Sequence, residues 1–207
     1  MKKVVILLRL LKKEDEKDKE TFGIREDVIN ALKNYKINYY LIPINTISND
    51  DYDNVIEMIK MADGVVIPGG NKGGTKMEFN IIKYLYDNDI PTLGICLGHQ
   101  SMGRTFGGVK RQVEVHKILN KKYAHYVNIK KDSLLYKIIR KERVLVNSRH
   151  RLIVENTNLS ISAYNDEGMP EAFEDKSKKC FIGVQWHPES IMDDDNKKIF
   201  DYFISKL

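Results

Sequence analysis

The sequence predicts an α/β fold, with a mostly parallel central sheet and helices packed on both of its faces. Three observations predict it. Short apolar runs rich in branched residues recur at 4–8, 64–67 and 90–95, the mark of strands covered on both sides. Segments with apolar residues at helical spacing lie between them. Strand and helix alternate, which favours parallel pairing through crossover connections.

Residues 4–8 make the first strand. Residues 12–20 are a dense mixed-charge stretch, expected to be a solvated loop. Residues 27–36 carry Val28, Ile29, Leu32 and Tyr35 at helical spacing. A second strand at 37–42 stops at Pro43, and 52–61 is a second amphipathic helix. The strand at 64–67 runs into the turn Pro68-Gly69-Gly70. Residues 77–86 form a helix with Ile81, Ile82 and Leu85 on one side. The strand at 90–95 leads straight into Cys96, and a helix is expected at 98–106. Beyond Gly107 the links shorten. Strands are expected at 109–118, 123–129, 143–146, 159–164 and 180–186, with helices at 134–140 and 196–207. No repeat, low-complexity tract or linker divides the chain, so one domain over 1–207 is expected.

At 207 residues the chain can bury a full core. Its formal charge of +5 raises the question of a polyanionic partner. The lysines come as scattered pairs (121 and 122, 130 and 131, 178 and 179, 197 and 198) without interleaved aromatics. They read as solvated surface, and no nucleic acid partner is expected. Arg9 interrupts the apolar start, no small-residue cleavage site follows, and no apolar run reaches membrane-spanning length. A buried first strand is expected there, and no membrane partner. Cys96 and Cys180 are far apart and lack metal-ligand spacing. They make no disulfide framework, so a reducing, cytoplasmic location is expected, with no metal.

Gly94-Ile95-Cys96-Leu97-Gly98-His99-Gln100 has the form glycine, nucleophile, glycine between an apolar strand and a helix. A tight strand-to-helix turn strains its central residue and leaves no room for flanking side chains. It lifts the thiol above the carboxyl edge of the sheet, where the free N–H groups of the next helix favour a thiolate and an oxyanion. A lone cysteine on a strand is ordinarily a small buried hydrophobe. The double glycine frame reverses that for Cys96, whereas Cys180 has no frame and is expected to be structural.

His187 emerges from the apolar strand at 180–186, two residues before Glu189. This suits a general base and the carboxylate that orients it. His99, His116, His125 and His150 are expected to be structural or surface residues, with His99 close enough to the elbow to support it. Gly69 and Gly70 end a strand of the same sheet, where glycine lets backbone N–H groups approach a ligand. The N–H groups of Gly70 and Leu97 are the expected oxyanion donors. The triad with its oxyanion donors needs no cofactor.

These segments, in this order, resemble the class I glutamine amidotransferases. Gly94 to Gln100 matches their nucleophile motif and Trp186-His187-Pro188-Glu189 their base motif. The resemblance implies a Cys96–His187–Glu189 triad, a γ-glutamyl thioester on Cys96 and a doubly wound, flavodoxin-like fold with a small antiparallel extension. Within that group the chain looks most like the gamma-glutamyl-gamma-aminobutyrate hydrolase family. The matching residues are Ala62 to Gly70, Glu78, Val146-Asn147-Ser148-Arg149-His150, Asp166 to Phe173 and Trp186. That likeness implies a hydrolase that cleaves a small γ-glutamyl conjugate into glutamate and an amine. It makes Gly69, Gln100, Asn147, Ser148 and His150 the expected substrate-binding residues, with the γ-glutamyl half near Gln100 and the glycine turn. There are two departures, of which the latter favours a second reading. Only residues 71–77 fill a space where that family carries a longer loop, and Leu97 with His99 gives a string typical of ammonia-supplying enzymes. Under the second reading the chain is a glutaminase subunit serving a separate synthetase. A non-catalytic scaffold that merely keeps the fold is a third reading. The sequence leaves a homodimer open.

Overall fold

The computed structural model describes residues 1–12, 20–44, 51–70, 73–113, 117–118 and 121–207. The elements follow in chain order. β1 (Lys2–Lys12), β2 (Glu20–Gly23), α1 (Glu26–Lys33), β3 (Ile37–Pro43), α2 (Tyr52–Lys60), β4 (Gly64–Ile67), α3 (Lys76–Asp87), β5 (Thr92–Ile95) and α4 (Leu97–Thr105) make the first half. The second half holds β6 (Val109–Gln112), β7 (Lys117–Ile118), β8 (His125–Ile129), α5 (Leu134–Ile139), β9 (Arg143–Val146) and β10 (Ser148–Arg149). β11 (Leu152–Glu155), β12 (Ser160–Asn165), β13 (Pro170–Glu174), β14 (Phe181–Val184) and α6 (Asp194–Ser205) complete it.

Among the described residues, one sheet runs β2-β1-β4-β5-β14-β13-β12-β8-β9, with β3 also paired to β1. The pairs β1–β3, β1–β4, β4–β5 and β5–β14 are parallel. The pairs from β14 through β13, β12 and β8 to β9 are antiparallel. The parallel sheet expected from the alternation is present, and its antiparallel extension is four strands wide.

Side chains along β1 alternate between two cores. Val4 and Ile6 meet Val28, Ala31 and Leu32 of α1 and Ile199, Phe200 and Phe203 of α6. Val5 and Leu7 meet Val55, Ile56 and Ile59 of α2 and Met77, Ile81, Ile82 and Leu85 of α3. Strand periodicity of two thus feeds both faces, which makes the sheet doubly wound. Local chemistry sets the helix starts. Thr75 caps α3, Ser133 caps α5 and Asp193 caps α6, each side-chain oxygen accepting a backbone N–H of the first turn. Buried Glu174 adds to the α5 cap by accepting the N–H groups of Leu134 and Leu135 at 2.6 and 3.0 Å.

Two expectations need correction. The strand expected over 109–118 is two, β6 paired with β11 and β7 paired with β10, and 114–116 lie outside the described residues. The charged stretch at 12–20 begins and ends inside a hairpin, with Lys12 opposite Glu20, and 13–19 lie outside the described residues. β13 lies where no element is expected from the sequence, since Glu171 and Glu174 break its apolar run, yet all five of its residues are buried.

Candidate active site

The parallel strands β4, β5 and β14 end on the same edge of the sheet. Pro68-Gly69-Gly70 follows the first, Cys96 the second, and His187 lies just beyond the third. Topology therefore gathers three segments separated in the chain, at the edge where open α/β sheets carry ligands.

Cys96 has φ +51° and ψ −102°, a backbone conformation that costs an L-residue about 1–3 kcal/mol. Its neighbours hold it there. The Cys96 N–H donates to the Val184 carbonyl at 2.8 Å, and its carbonyl accepts the Gln100 N–H at 3.0 Å. The flanking glycines answer to space. A methyl on Gly98 would come within 2.0 Å of the Ile67 carbonyl oxygen, and one on Gly94 within 2.3 Å of Met102 Sδ. Only with both positions bare can α4 start this close to β4 and β5.

His187 and Glu189 are both 4% exposed, and Cys96 is 7% exposed. His187 Nδ1 lies 2.6 Å from Glu189 Oε1, a short bond that sets the ring's orientation. A methyl on Gly69 would sit 2.8 Å from His187 Cε1 and 3.4 Å from Cys96 Cβ. Gly69 therefore stands against both the imidazole and the Cys96 Cβ, and its missing side chain leaves them room. Burial pulls the His187 pKa down. The charges of Cys96 and Glu189 and their hydrogen bonds outweigh burial and raise it to about 10. Leu97 opens α4, so its N–H has no acceptor within the helix. A methyl on Gly70 would lie 3.5 Å from Leu97 Cδ2, so the Leu97 side chain packs beside Gly70.

Four residues expected to touch substrate have other tasks. Asn147 grips the backbone of His187, donating through Nδ2 to its carbonyl at 2.9 Å and accepting its N–H at 2.8 Å. Gln100 turns inward, its Nε2 donating to the Leu152 carbonyl at 2.7 Å and to Gln185 Oε1 at 3.1 Å. Ser148 is fully buried, with its backbone paired to Ile118. His150 is buried, with Nδ1 3.2 Å from the Leu152 carbonyl and Nε2 3.7 Å from Glu171 Oε1. Asn147 and His150 lie in the segment that follows β9, and their polar groups meet the backbone of His187 just past β14 and residues of β11 and β13.

Gln185 was not singled out from the sequence. Its Nε2 donates to Cys96 Sγ at 3.7 Å, and its Oε1 accepts from Gln100. One signal pointed to it: a buried amide at the end of an otherwise apolar strand. Trp186 faces away, with Nε1 donating to Asn196 Oδ1 at 2.8 Å, which ties β14 to α6. His99 stacks on Phe173 at 4.2 Å, and burial, with help from His150, pushes its pKa down to about 3 despite Gln185. It is a neutral interior ring. His125 lies 3.3 Å from Glu171 Oε1, and His116 lies outside the described residues. Cys180 is buried and its thiol is pushed up to about 12 by that burial, as a structural cysteine should be. Among the described residues no group of His, Cys, Asp and Glu is arranged to hold a metal ion.

With this geometry in place, residues 21–207 match the family described as glutamine amidotransferase class-I. The chain belongs to that family. Members are cysteine-dependent amidohydrolases that act on C–N bonds. The chain is 33% identical over 151 residues to anthranilate synthase component 2 of Cyanophora paradoxa, covering 70% of this chain and 76% of that protein. It is 30% identical over 155 residues to one of the subunits of the glutamine-hydrolysing GMP synthase of Methanococcus aeolicus, covering 74% and 78%. The fold matches the glutaminase domain of Trypanosoma brucei CTPS with bound acivicin at TM-score 0.76 and 19% identity, covering 100% of this chain and 93% of that one. The narrower likeness to gamma-glutamyl-gamma-aminobutyrate hydrolases is not what these relatives bring forward; they are components of synthases. Among the described residues, no helix of this family member is long and apolar enough to cross a membrane.

Proposed function

We propose that this chain is a glutaminase subunit that hydrolyses the γ-amide of glutamine on Cys96 and supplies ammonia to a separate synthetase. This reverses the order of the two readings drawn from the sequence. The chemistry rests on one observation: Gly69 packs against both Cys96 and His187, on the edge where Glu189 orients the imidazole. The choice of glutaminase over free hydrolase is supported by the two synthase components, of which the chain covers three quarters or more. The segment that argued for the hydrolase, Asn147 to His150, serves the fold, so it carries no information about the amine.

In the proposed reaction the Cys96 thiolate attacks the γ-carbonyl carbon. The oxyanion forms against the N–H groups of Gly70 and Leu97. Protonated His187 gives its proton to the departing nitrogen, and ammonia leaves a γ-glutamyl thioester. Water then attacks the thioester carbonyl. His187 takes its proton, and glutamate leaves as the thiolate reforms. Glu189 holds the ring and balances its charge in both halves. Gly69 gives the substrate room against the imidazole. One domain over 1–207 and a small γ-glutamyl substrate belong to the same proposal.

The test is glutamine turnover by the purified chain, alone and with the ammonia-consuming synthetase of its own cells. A slow basal rate that rises on adding the synthetase, and is abolished by Cys96→Ala, is the expected result. Fast turnover of γ-glutamyl amines in preference to glutamine, with no partner effect, would return the hydrolase reading.

A further inference from the structure

The glycine turn that carries the expected oxyanion donor rests on a buried ion pair. Arg9 and Glu78 are each 1% exposed, and Arg9 is among the largest fully buried side chains of the molecule. Arg9 sits where β1 leaves the parallel sheet. Its guanidinium faces two ways. Nε donates to the Pro68 carbonyl at 3.0 Å, while the two terminal nitrogens donate to the Glu78 carboxylate at 2.5 and 3.2 Å. Glu78 Oε2 also accepts the Gly74 N–H at 2.6 Å, and the Glu78 backbone N–H bonds the capping Thr75 hydroxyl.

The pair therefore holds the turn on both sides of Gly69 and Gly70: the Pro68 carbonyl before them and the Gly74 N–H after them. It also lies directly against them. A methyl on Gly70 would be 2.7 Å from Arg9 Cδ, and one on Gly73 would be 2.1 Å from an Arg9 terminal nitrogen and 3.1 Å from Glu78 Oε2. Leu97 Cδ2 completes the wall at 3.5 Å from the first of these positions and 2.9 Å from the second.

A buried ion pair is poor evidence for stability, because desolvating two charges offsets most of their attraction. Its geometric effect is a better account of its presence. A carboxylate can accept from a guanidinium on one side and from a backbone N–H on the other at the same time. The positions of both ends of the turn then depend on one another.

We propose that Arg9 and Glu78 are positioning residues that aim the Gly70 N–H at the oxyanion site. The proposal rests on the glutaminase reading for its kinetic consequence and on the structure alone for its geometry. Glu78→Gln separates the two. An amide can accept on one side only, so either the Gly74 N–H or the guanidinium is left facing an NH2 group. Arg9→Met combined with Glu78→Leu removes both charges in a shape near the original, which guards against a variant that fails to fold.

Two readouts test it: kcat and KM for glutamine, and the Gly70 amide resonance by NMR. Glu78→Gln and the double variant are expected to lower kcat by about tenfold or more, with KM little changed, because a misaimed donor weakens only the transition state. The Gly70 resonance is expected to shift or broaden, and Cys96 to be alkylated at the wild-type rate. An unchanged kcat together with an unmoved Gly70 resonance would overturn the clamp. So would a lower melting temperature with full kcat per folded molecule, which would make the pair an anchor of the fold only. A wild-type chain without amidase activity, whose Gly70 resonance still responds to Glu78→Gln, would overturn the glutaminase reading and leave the clamp standing.

Discussion

Asn147 holds His187 by both of its backbone groups, the Nδ2 donating to the carbonyl at 2.9 Å and the side-chain oxygen accepting the N–H at 2.8 Å. Both residues are buried. The proposed base is therefore fixed twice, at its ring by Glu189 and at its backbone by a side chain 40 positions away. Replacing Asn147 with Ala leaves two buried backbone groups without this partner. The expected loss of stability is about 1–3 kcal/mol, read by denaturant unfolding, with a fall in kcat larger than the change in KM. Full stability and full activity in this variant would remove Asn147 from the account.

Cys96 supports a prediction with two arms. Cys96→Ala keeps the strained backbone and removes the sulfur, so turnover should fall by about 10⁴-fold or more while the fold persists. Cys96→Gly should be equally inactive. It should also be more stable than Cys96→Ala, by about 1 kcal/mol or more, because glycine tolerates φ +51°. Paired thermal melts measure the difference. Equal melting temperatures would mean that this turn stores no strain.

Gly69→Ala inserts a methyl 2.8 Å from His187 Cε1 and 3.4 Å from Cys96 Cβ. The imidazole must move. The expected outcome is a loss of about 10²-fold in kcat/KM with a modest change in melting temperature. Unaltered kinetics would show that the ring has slack that the packing does not suggest.

The His187 pKa, raised from 6.5 to about 10, has a pH consequence of definite sign. A group whose folded pKa lies above its unfolded value binds its proton more tightly when folded. Its contribution to stability is complete below pH 6.5 and is lost as the pH rises toward about 10. The raising groups are Cys96 and Glu189, against burial. In Cys96→Ala the imidazole should therefore titrate at lower pH, and the decline of stability, which still begins near pH 6.5, should be smaller and end at a lower pH. NMR titration of the His187 ring in both proteins checks the direction. A higher value in the variant would contradict the charge pairing.

The strand-to-helix turn at Cys96 and the segment from Trp186 to Glu189 are readable along the chain because their constraints are local. Glycines two positions either side of a cysteine, and a carboxylate two positions from a histidine, announce a tight turn and an oriented ring before any tertiary contact is known. The two-faced sheet is readable for the same reason, since its strands are short apolar runs and its helices carry apolar stripes. Partnerships across the fold are another matter. Asn147 meets His187 over 40 positions, Arg9 meets Glu78 over 69, and Gln185 meets Cys96 over 89. Polar residues of these kinds look alike in sequence whether they face a substrate or the interior. Only the packing of β14 between β5 and β13, and of β1 beside β4, decides that Asn147 and Gln100 turn inward and that Arg9 lies under the glycine turn. A hydrogen bond depends on angles and distances that local composition does not encode. The proposed nucleophile and base could thus be picked out from neighbours in the chain, while the contacts that support them had to wait for neighbours in space.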